Sequence, residues 1–177
     1  MKIILIIFVG IVAVAGIMYG FSQRARMTQR EIERWETTNH IFKIRVTAHV
    51  EESSAFVAGA YYVFKCARSD DRDWREIMIV HHDDPVKIPR EQVRFVTDRV
   101  GYVFMLYNYA VTVDAGVTWF VWYAPKDLPN WRDTRANIND VQIRSDGTGR
   151  MRLTTSTDQA APELYTNDYG QHWNPRT

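Results

Sequence analysis

His81-His82-Asp83-Asp84 places four residues of metal-ligating type in one short run. To hold an ion, three or four such side chains must converge on it. In an extended strand, however, His81 and His82 point to opposite faces, and Asp83-Asp84-Pro85 has the composition of a strand-ending turn. Asp70, Asp71 and Asp73 form a second acidic group, interrupted by Arg72. Calcium loops combine such acids with a glycine and a bidentate glutamate at set positions, a pattern this run lacks. Cys66 is the single cysteine, which excludes an intramolecular disulfide and a cysteine-based zinc finger. Next to a strand it reads as a packed small residue. The chain has no Ser/His/Asp arrangement, Walker loop or glycine-rich dinucleotide loop. These residues therefore point to no catalytic group, no metal site and no cofactor.

The aromatic residues offer a different chemistry. Phe, Trp and Tyr make up 13% of the chain, including six Trp and nine Tyr. Exposed rings stack sugars or anchor protein interfaces, whereas buried rings fill a core. In Trp119-Phe120-Val121-Trp122-Tyr123 both faces of an extended strand are apolar, so one face is available to a partner. Trp122, Tyr123 and the loop residue Trp131, in Asp127-Leu128-Pro129-Asn130-Trp131, are the candidate binding surface. Tyr107, Tyr109, Tyr165 and Tyr169 are further aromatic candidates.

One spacing recurs. Thr112-Val113-Asp114-Ala115-Gly116-Val117-Thr118-Trp119 and Thr166-Asn167-Asp168-Tyr169-Gly170-Gln171-His172-Trp173 both read T-x-D-x-G-x-x-W. A looser third copy spans Ala67 to Trp74, with Ser69 at the aspartate position and Asp71 at the glycine position. The upstream segments repeat as well. Val93–Val96 and Gly101–Phe104 lead into the first full copy, as Val141–Ile143 and Gly149–Leu153 lead into the second.

This motif resembles the Asp-box, or BNR repeat, of sialidases and many other β-propellers. The whole repeat is also similar to those of photosystem-assembly-factor-type propellers. Thr112, Asp114, Gly116, Thr118 and Trp119 match in full; Thr166, Asp168, Gly170 and Trp173 match with His172 at the usual threonine position. The resemblance implies a structural role: the aspartate caps a tight turn, the glycine supplies a turn backbone angle, and the tryptophan packs beneath. It also implies that these turns lie away from the usual ligand face. Val86-Lys87-Ile88-Pro89-Arg90 is distantly similar to the Phe-Arg-Ile-Pro signature of sialidases, with Lys87 in place of the arginine. Sialidases further need an arginine triad, a Tyr/Glu pair and an acid over a much larger domain, so this segment reads as a proline-bounded connection between repeats.

The elements that must position these residues are short strands. Phe42, Ile44, Val46 and Ala48 share one parity, with Lys43, Arg45 and Thr47 on the other. Runs at Tyr61–Phe64, Glu76–Val80, Val93–Val96, Gly101–Leu106, Ala110–Val113, Trp119–Tyr123, Val141–Arg144, Met151–Thr154 and Glu163–Thr166 follow, separated by Asp, Gly, Pro or Asn. The expected fold is all-β: a small domain of about three Asp-box-type antiparallel repeats over residues 39–177, partly propeller-like or closed as a sandwich or barrel. A closed propeller needs at least four blades, and the stretch after Trp173 leaves the third repeat no outer strand of its own.

Before this domain, Ile3 to Phe21 is a run of 19 uncharged residues, about 28 Å long as a helix and close to one hydrocarbon core. Residues 1–21 are therefore expected to be a single transmembrane anchor, in which Gly10, Gly16 and Gly20 favour close helix packing. Residues 22–38 are expected to be a helical stalk or linker, with Thr28-Gln29-Arg30-Glu31 as a capping box. The short Met-Lys lead favours an extracytoplasmic domain, while Arg24, Arg26, Arg30 and Arg34 argue for the opposite orientation. With a net charge of +1 the chain has no large basic field, so nucleic acid is not an expected partner. The expected function is non-catalytic: a membrane-anchored binding or accessory subunit whose partners are the membrane and a protein (a membrane complex or a homo-oligomer) or a glycan. The alternative is a reduced carbohydrate-active enzyme of the sialidase-like class, which requires two carboxylates about 5 to 10 Å apart across a cleft.

Overall fold

The computed structural model describes residues 28–52, 57–128, 132, 135–155 and 162–175. Among these residues twelve strands form three four-stranded antiparallel sheets, each with its strands in chain order. Sheet I contains β1 (Thr28–Thr38), β2 (Phe42–Glu52), β3 (Val57–Arg68) and β4 (Arg75–His82). Sheet II contains β5 (Val93–Phe95), β6 (Gly101–Met105), β7 (Asn108–Thr112) and β8 (Phe120–Tyr123). Sheet III contains β9 (Asn137–Ile143), β10 (Gly149–Thr154), β11 (Glu163–Thr166) and β12 (Asn174–Pro175). A 3-10 turn, Arg90–Gln92, and a one-turn helix, Ala124–Asp127, precede and follow sheet II. The expectation of an all-β domain built of short antiparallel strands holds.

Alternation along the strands decides the packing. Phe42, Ile44, Val46, Ala48 and Val50 of β2, Tyr62 and Phe64 of β3, and Met78 and Val80 of β4 face sheet II. There they meet Val93, Val103, Met105 and Ala110. The opposite face of sheet II gives Tyr102, Phe104, Tyr109, Val111 and Trp122 to a second core. Ile138, Val141, Met151, Leu153 and Leu164 of sheet III complete it. Sheet II is thus the middle layer, which is why β6 is buried at every position, Gly101 to Met105. The outer faces are polar. On sheet III Arg152 pairs with Asp140 at 3.0 Å, Arg150 donates to Gln142 and Tyr165 donates to Glu163. On sheet I Arg45 pairs with Glu36 at 2.7 Å.

Residues 28–38 depart from the expected helical stalk. They form β1, paired with β2 from Thr28↔Glu52 to Thr38↔Lys43, so residues 28–38 belong to the β-domain expected to start at Asn39. The pairing places Trp35 in the core and sets Arg30 against Glu52 at 2.6 Å. A full ladder with one buried tryptophan outweighs a local capping pattern. Glu31, the capping-box acid, instead accepts from Arg34. The third repeat also has a fourth strand, the two-residue β12, which pairs Tyr165 with Asn174 and Leu164 with Pro175. The expected anchor, residues 1–21, lies outside the described residues. Among the described residues no helix is long and apolar enough to cross a membrane.

Candidate functional site

The two T-x-D-x-G-x-x-W segments connect the third strand to the fourth in sheets II and III, and they share one geometry. In the first, the Thr112 hydroxyl donates to Asp114 Oδ1 at 2.8 Å and accepts from the Gly116 N–H at 2.9 Å. Asp114 also accepts from the Thr118 N–H at 2.9 Å and from the Thr118 hydroxyl at 2.6 Å. In the second, Thr166 donates to Asp168 at 2.7 Å and accepts from the Gly170 N–H at 2.9 Å. His172 replaces the threonine, its backbone N–H donating at 3.1 Å and its Nδ1 lying 2.6 Å from Asp168 Oδ2. Both turns carry two consecutive left-handed residues, Ala115 (φ 62°) with Gly116 (φ 81°) and Tyr169 (φ 63°) with Gly170 (φ 85°). Partial burial pushes the Asp114 carboxyl up, but the donors of Thr118 and Thr112 outweigh it and hold the group below its ordinary value. Asp168 is lowered in the same way, its burial outweighed by His172 and Thr166. Each carboxylate is consumed by its own turn.

Each of these turns docks on the preceding sheet. Gly116 lies over the Phe42 ring, and Trp119 meets that ring edge-on at 6.5 Å while donating its Nε1–H to Cys66 Sγ at 3.3 Å. Burial raises the Cys66 thiol, as expected for a packed cysteine. Gly170 lies against Tyr109 Oη, and Trp173 meets the Tyr109 ring edge-on at 5.5 Å. Tyr109 is fully buried, and burial holds its phenol well above the ordinary value. Neither Tyr109 Oη nor Trp173 Nε1 has a hydrogen-bond partner among the described residues. The looser copy, Ala67 to Trp74, occupies the equivalent connection in sheet I but folds differently. Asp71 accepts from the Asp73 N–H at 2.9 Å, and Trp74 lies on the outer face with the Arg45 guanidinium 3.9 Å from its ring centre.

The candidate aromatic surface separates. Trp122 is only 8% exposed and belongs to the second core, which corrects its assignment to a binding face. Parity explains the correction: Trp122 lies opposite Tyr109 and faces sheet III, so the ring fills the core it points into. Tyr123 is exposed, edge-on to Tyr107 at 5.5 Å. Its N–H is capped by Asp127 Oδ2 at 2.7 Å. Phe120 and Val121, earlier in the same strand, and Val117, in the box turn before it, are also exposed. Trp131 lies outside the described residues. Tyr169 reaches the Ser145 carbonyl, and the fully buried Tyr102 donates to the Val141 carbonyl at 2.7 Å. Burial pushes Tyr102 up to about 12.

The segment Val86–Arg90 joins β4 to β5. The Tyr62 hydroxyl donates to the Val86 carbonyl and accepts from the Val86 N–H, Ile88 is buried in the first core, and the Arg90 guanidinium lies 5.7 Å from the Trp35 ring centre. This is a clamped connection. His81 sits by the Tyr61 ring at 6.0 Å, and the Asp84 N–H donates to His82 Nδ1. Among the described residues no group of three or more His, Cys, Asp and Glu side chains converges as a metal site would.

All three sheets contribute to a cleft of about 710 Å³ at the strand ends opposite the two box turns. His81, His82 and Asp83 come from the end of β4, Leu106 and Tyr107 from the turn between β6 and β7, and Asn137 from the start of β9, with Arg132 and Arg135 from the preceding segment. The Ile138 N–H donates to the Leu106 carbonyl and ties sheet III to the sheet II turn beneath the cleft. The lining holds two arginines against one carboxylate, Asp83, together with two histidines and a tyrosine. Among the described residues neither Arg132 nor Arg135 forms an ion pair. Of the lining residues, sequence reasoning singled out His81, His82 and Asp83, without assigning them a metal, and Tyr107 as an aromatic candidate; it missed Leu106, Arg132, Arg135 and Asn137. The usable signal was the repeat itself. Once the boxes are aligned, the connection between second and third strands must lie at the other end, which places Leu106 and Tyr107 there. No protein-family model, no curated protein and no solved structure matches this chain.

Proposed function

We propose that this chain is a membrane-anchored, non-catalytic binding or accessory subunit, with a domain of three Asp-box-type repeats arranged as an open series of blade-like sheets. The observation that carries this reading is the cleft, which draws its lining from all three sheets at the end opposite the box turns. Such a position suits recognition, because the box residues are committed to their turns and leave the other end free to vary. At its edge the exposed Tyr123 ring, edge-on to Tyr107 of the lining, suits a protein or glycan partner. What favours binding over glycoside hydrolysis is the carboxylate count: among the described lining residues Asp83 stands alone, and hydrolysis uses a pair.

The test is extraction of the tagged full chain in a mild detergent, with identification of co-purifying proteins. A stoichiometric set of membrane proteins, lost in a Tyr107→Ala/Tyr123→Ala variant, is expected for an accessory subunit. A lone chain that binds no protein and no glycan on an array, or that cleaves one, would overturn the proposal.

A further inference from the structure

The anchored reading above has a geometric consequence at the cleft. Strand β1 starts at Thr28, opposite Glu52, and this is the cleft end of sheet I. Arg30, Val50, Ala60 and His82 form one cross-strand row, so the entering chain and the cleft wall are three strands apart, about 14 Å. The uncharged run ends at Phe21, seven residues before Thr28. Even fully extended, seven residues reach about 25 Å. An anchor ending at Phe21 therefore keeps the cleft end, and not the box end, within a headgroup layer's reach.

The chemistry at that end fits this placement. Arg132 and Arg135 are exposed, line the cleft together with Asn137 and form no ion pair among the described residues. A guanidinium is a planar fork of donors suited to phosphate oxygens. A cleft of about 710 Å³ is in the range that holds a headgroup-sized ligand. We propose that the cleft faces the bilayer and that Arg132 and Arg135 hold the phosphate of an anionic phospholipid headgroup. This proposal rests on the membrane-anchored reading of the chain.

The test uses the full chain in a neutral detergent, with retained lipid counted by native mass spectrometry. Three probes are titrated: phosphatidylglycerol, phosphatidylcholine and inorganic phosphate. Phosphatidylglycerol is expected to be retained at least tenfold better than phosphatidylcholine. The R132Q/R135Q variant is expected to lose that preference while keeping the wild-type melting temperature. Arg150, on the outer face of sheet III, supplies the control, and R150Q should behave as wild type. Unchanged retention by R132Q/R135Q would overturn the assignment, as would a loss caused by R24Q/R26Q alone. Inorganic phosphate bound as tightly as the lipid would assign the site to a soluble anion and overturn the lipid source. Partner subunits appear in the same spectra as separate masses, and alkaline carbonate extraction tests the anchor. A failed lipid site is thereby distinguished from a failed accessory-subunit reading.

Discussion

Replacing Asp114 with alanine removes the acceptor of three donors at once: the Thr112 hydroxyl, the Thr118 hydroxyl and the Thr118 N–H. The three losses are unequal. Thr112 is fully buried, so its hydroxyl is left facing protein without an acceptor, at about 1 to 2 kcal/mol. Thr118 is exposed, and water refills its two bonds, so these add roughly 0.5 to 1 kcal/mol together. The sum is about 2 kcal/mol, which for a domain of this size lowers the melting temperature by roughly 4 to 8 °C. Thermal unfolding of the full chain in detergent, followed by tryptophan fluorescence, reads this directly, because Trp119 packs at the turn. Asp114→Asn keeps one acceptor oxygen and should recover part of the loss. The pH arm follows from sign. The folded Asp114 and Asp168 carboxyls lie below the ordinary 3.8, so their contribution is complete above that value and disappears as pH falls through the folded value. Wild type should therefore lose stability below about pH 4 more steeply than Asp114→Ala. A variant with unchanged melting temperature that loses partner binding would refute the argument, because the carboxylate would then be serving a ligand rather than its turn.

Tyr109→Phe should be neutral or stabilising by up to about 1 kcal/mol, since it deletes a buried hydroxyl with no partner among the described residues; the same melt reads it. Gly170→Ala should cost at least about 2 kcal/mol, because φ is 85° and the added methyl collides with Tyr109 Oη; Gly170→Ala in a Tyr109→Phe background should recover the collision part alone. Trp122→Ala should destabilise by about 3 to 5 kcal/mol, whereas Tyr123→Ala should stay within about 1 kcal/mol and lower only partner retention, as measured by melting and pull-down together.

The sequence disclosed the fold wherever period and turn chemistry agreed. The alternation of Phe42 to Ala48 announced β2, and the aspartate–glycine spacing located two hairpins to the residue. It failed at residues 28–38, where arginine, glutamate and threonine suit a helix as well as an edge strand and only the pairing with β2 decides. Trp122 failed for a related reason. Alternation showed that β8 has two apolar faces but not which one another sheet would cover. The cleft was less legible still, because Asp83, Tyr107, Arg135 and Asn137 come from separate connections and meet only when three sheets are packed. Chemistry assembled from strand ends leaves no local spacing to find.

The way sheet II meets sheet I is the way sheet III meets sheet II: a box glycine and tryptophan set against one aromatic ring, Phe42 and then Tyr109. A contact in which each unit offers one surface and accepts another is heterologous, and nothing in such a rule limits the number of units. The domain is in effect a short polymer in a single chain. Its growth is stopped chemically, by the Asp140–Arg152 face at one end and by the Arg45–Glu36 face at the other. Making the sheet III face apolar would remove one terminator only; with the Arg45–Glu36 face intact at the other end, the expected product is a face-to-face dimer, and an open-ended fibre requires both ends to be changed.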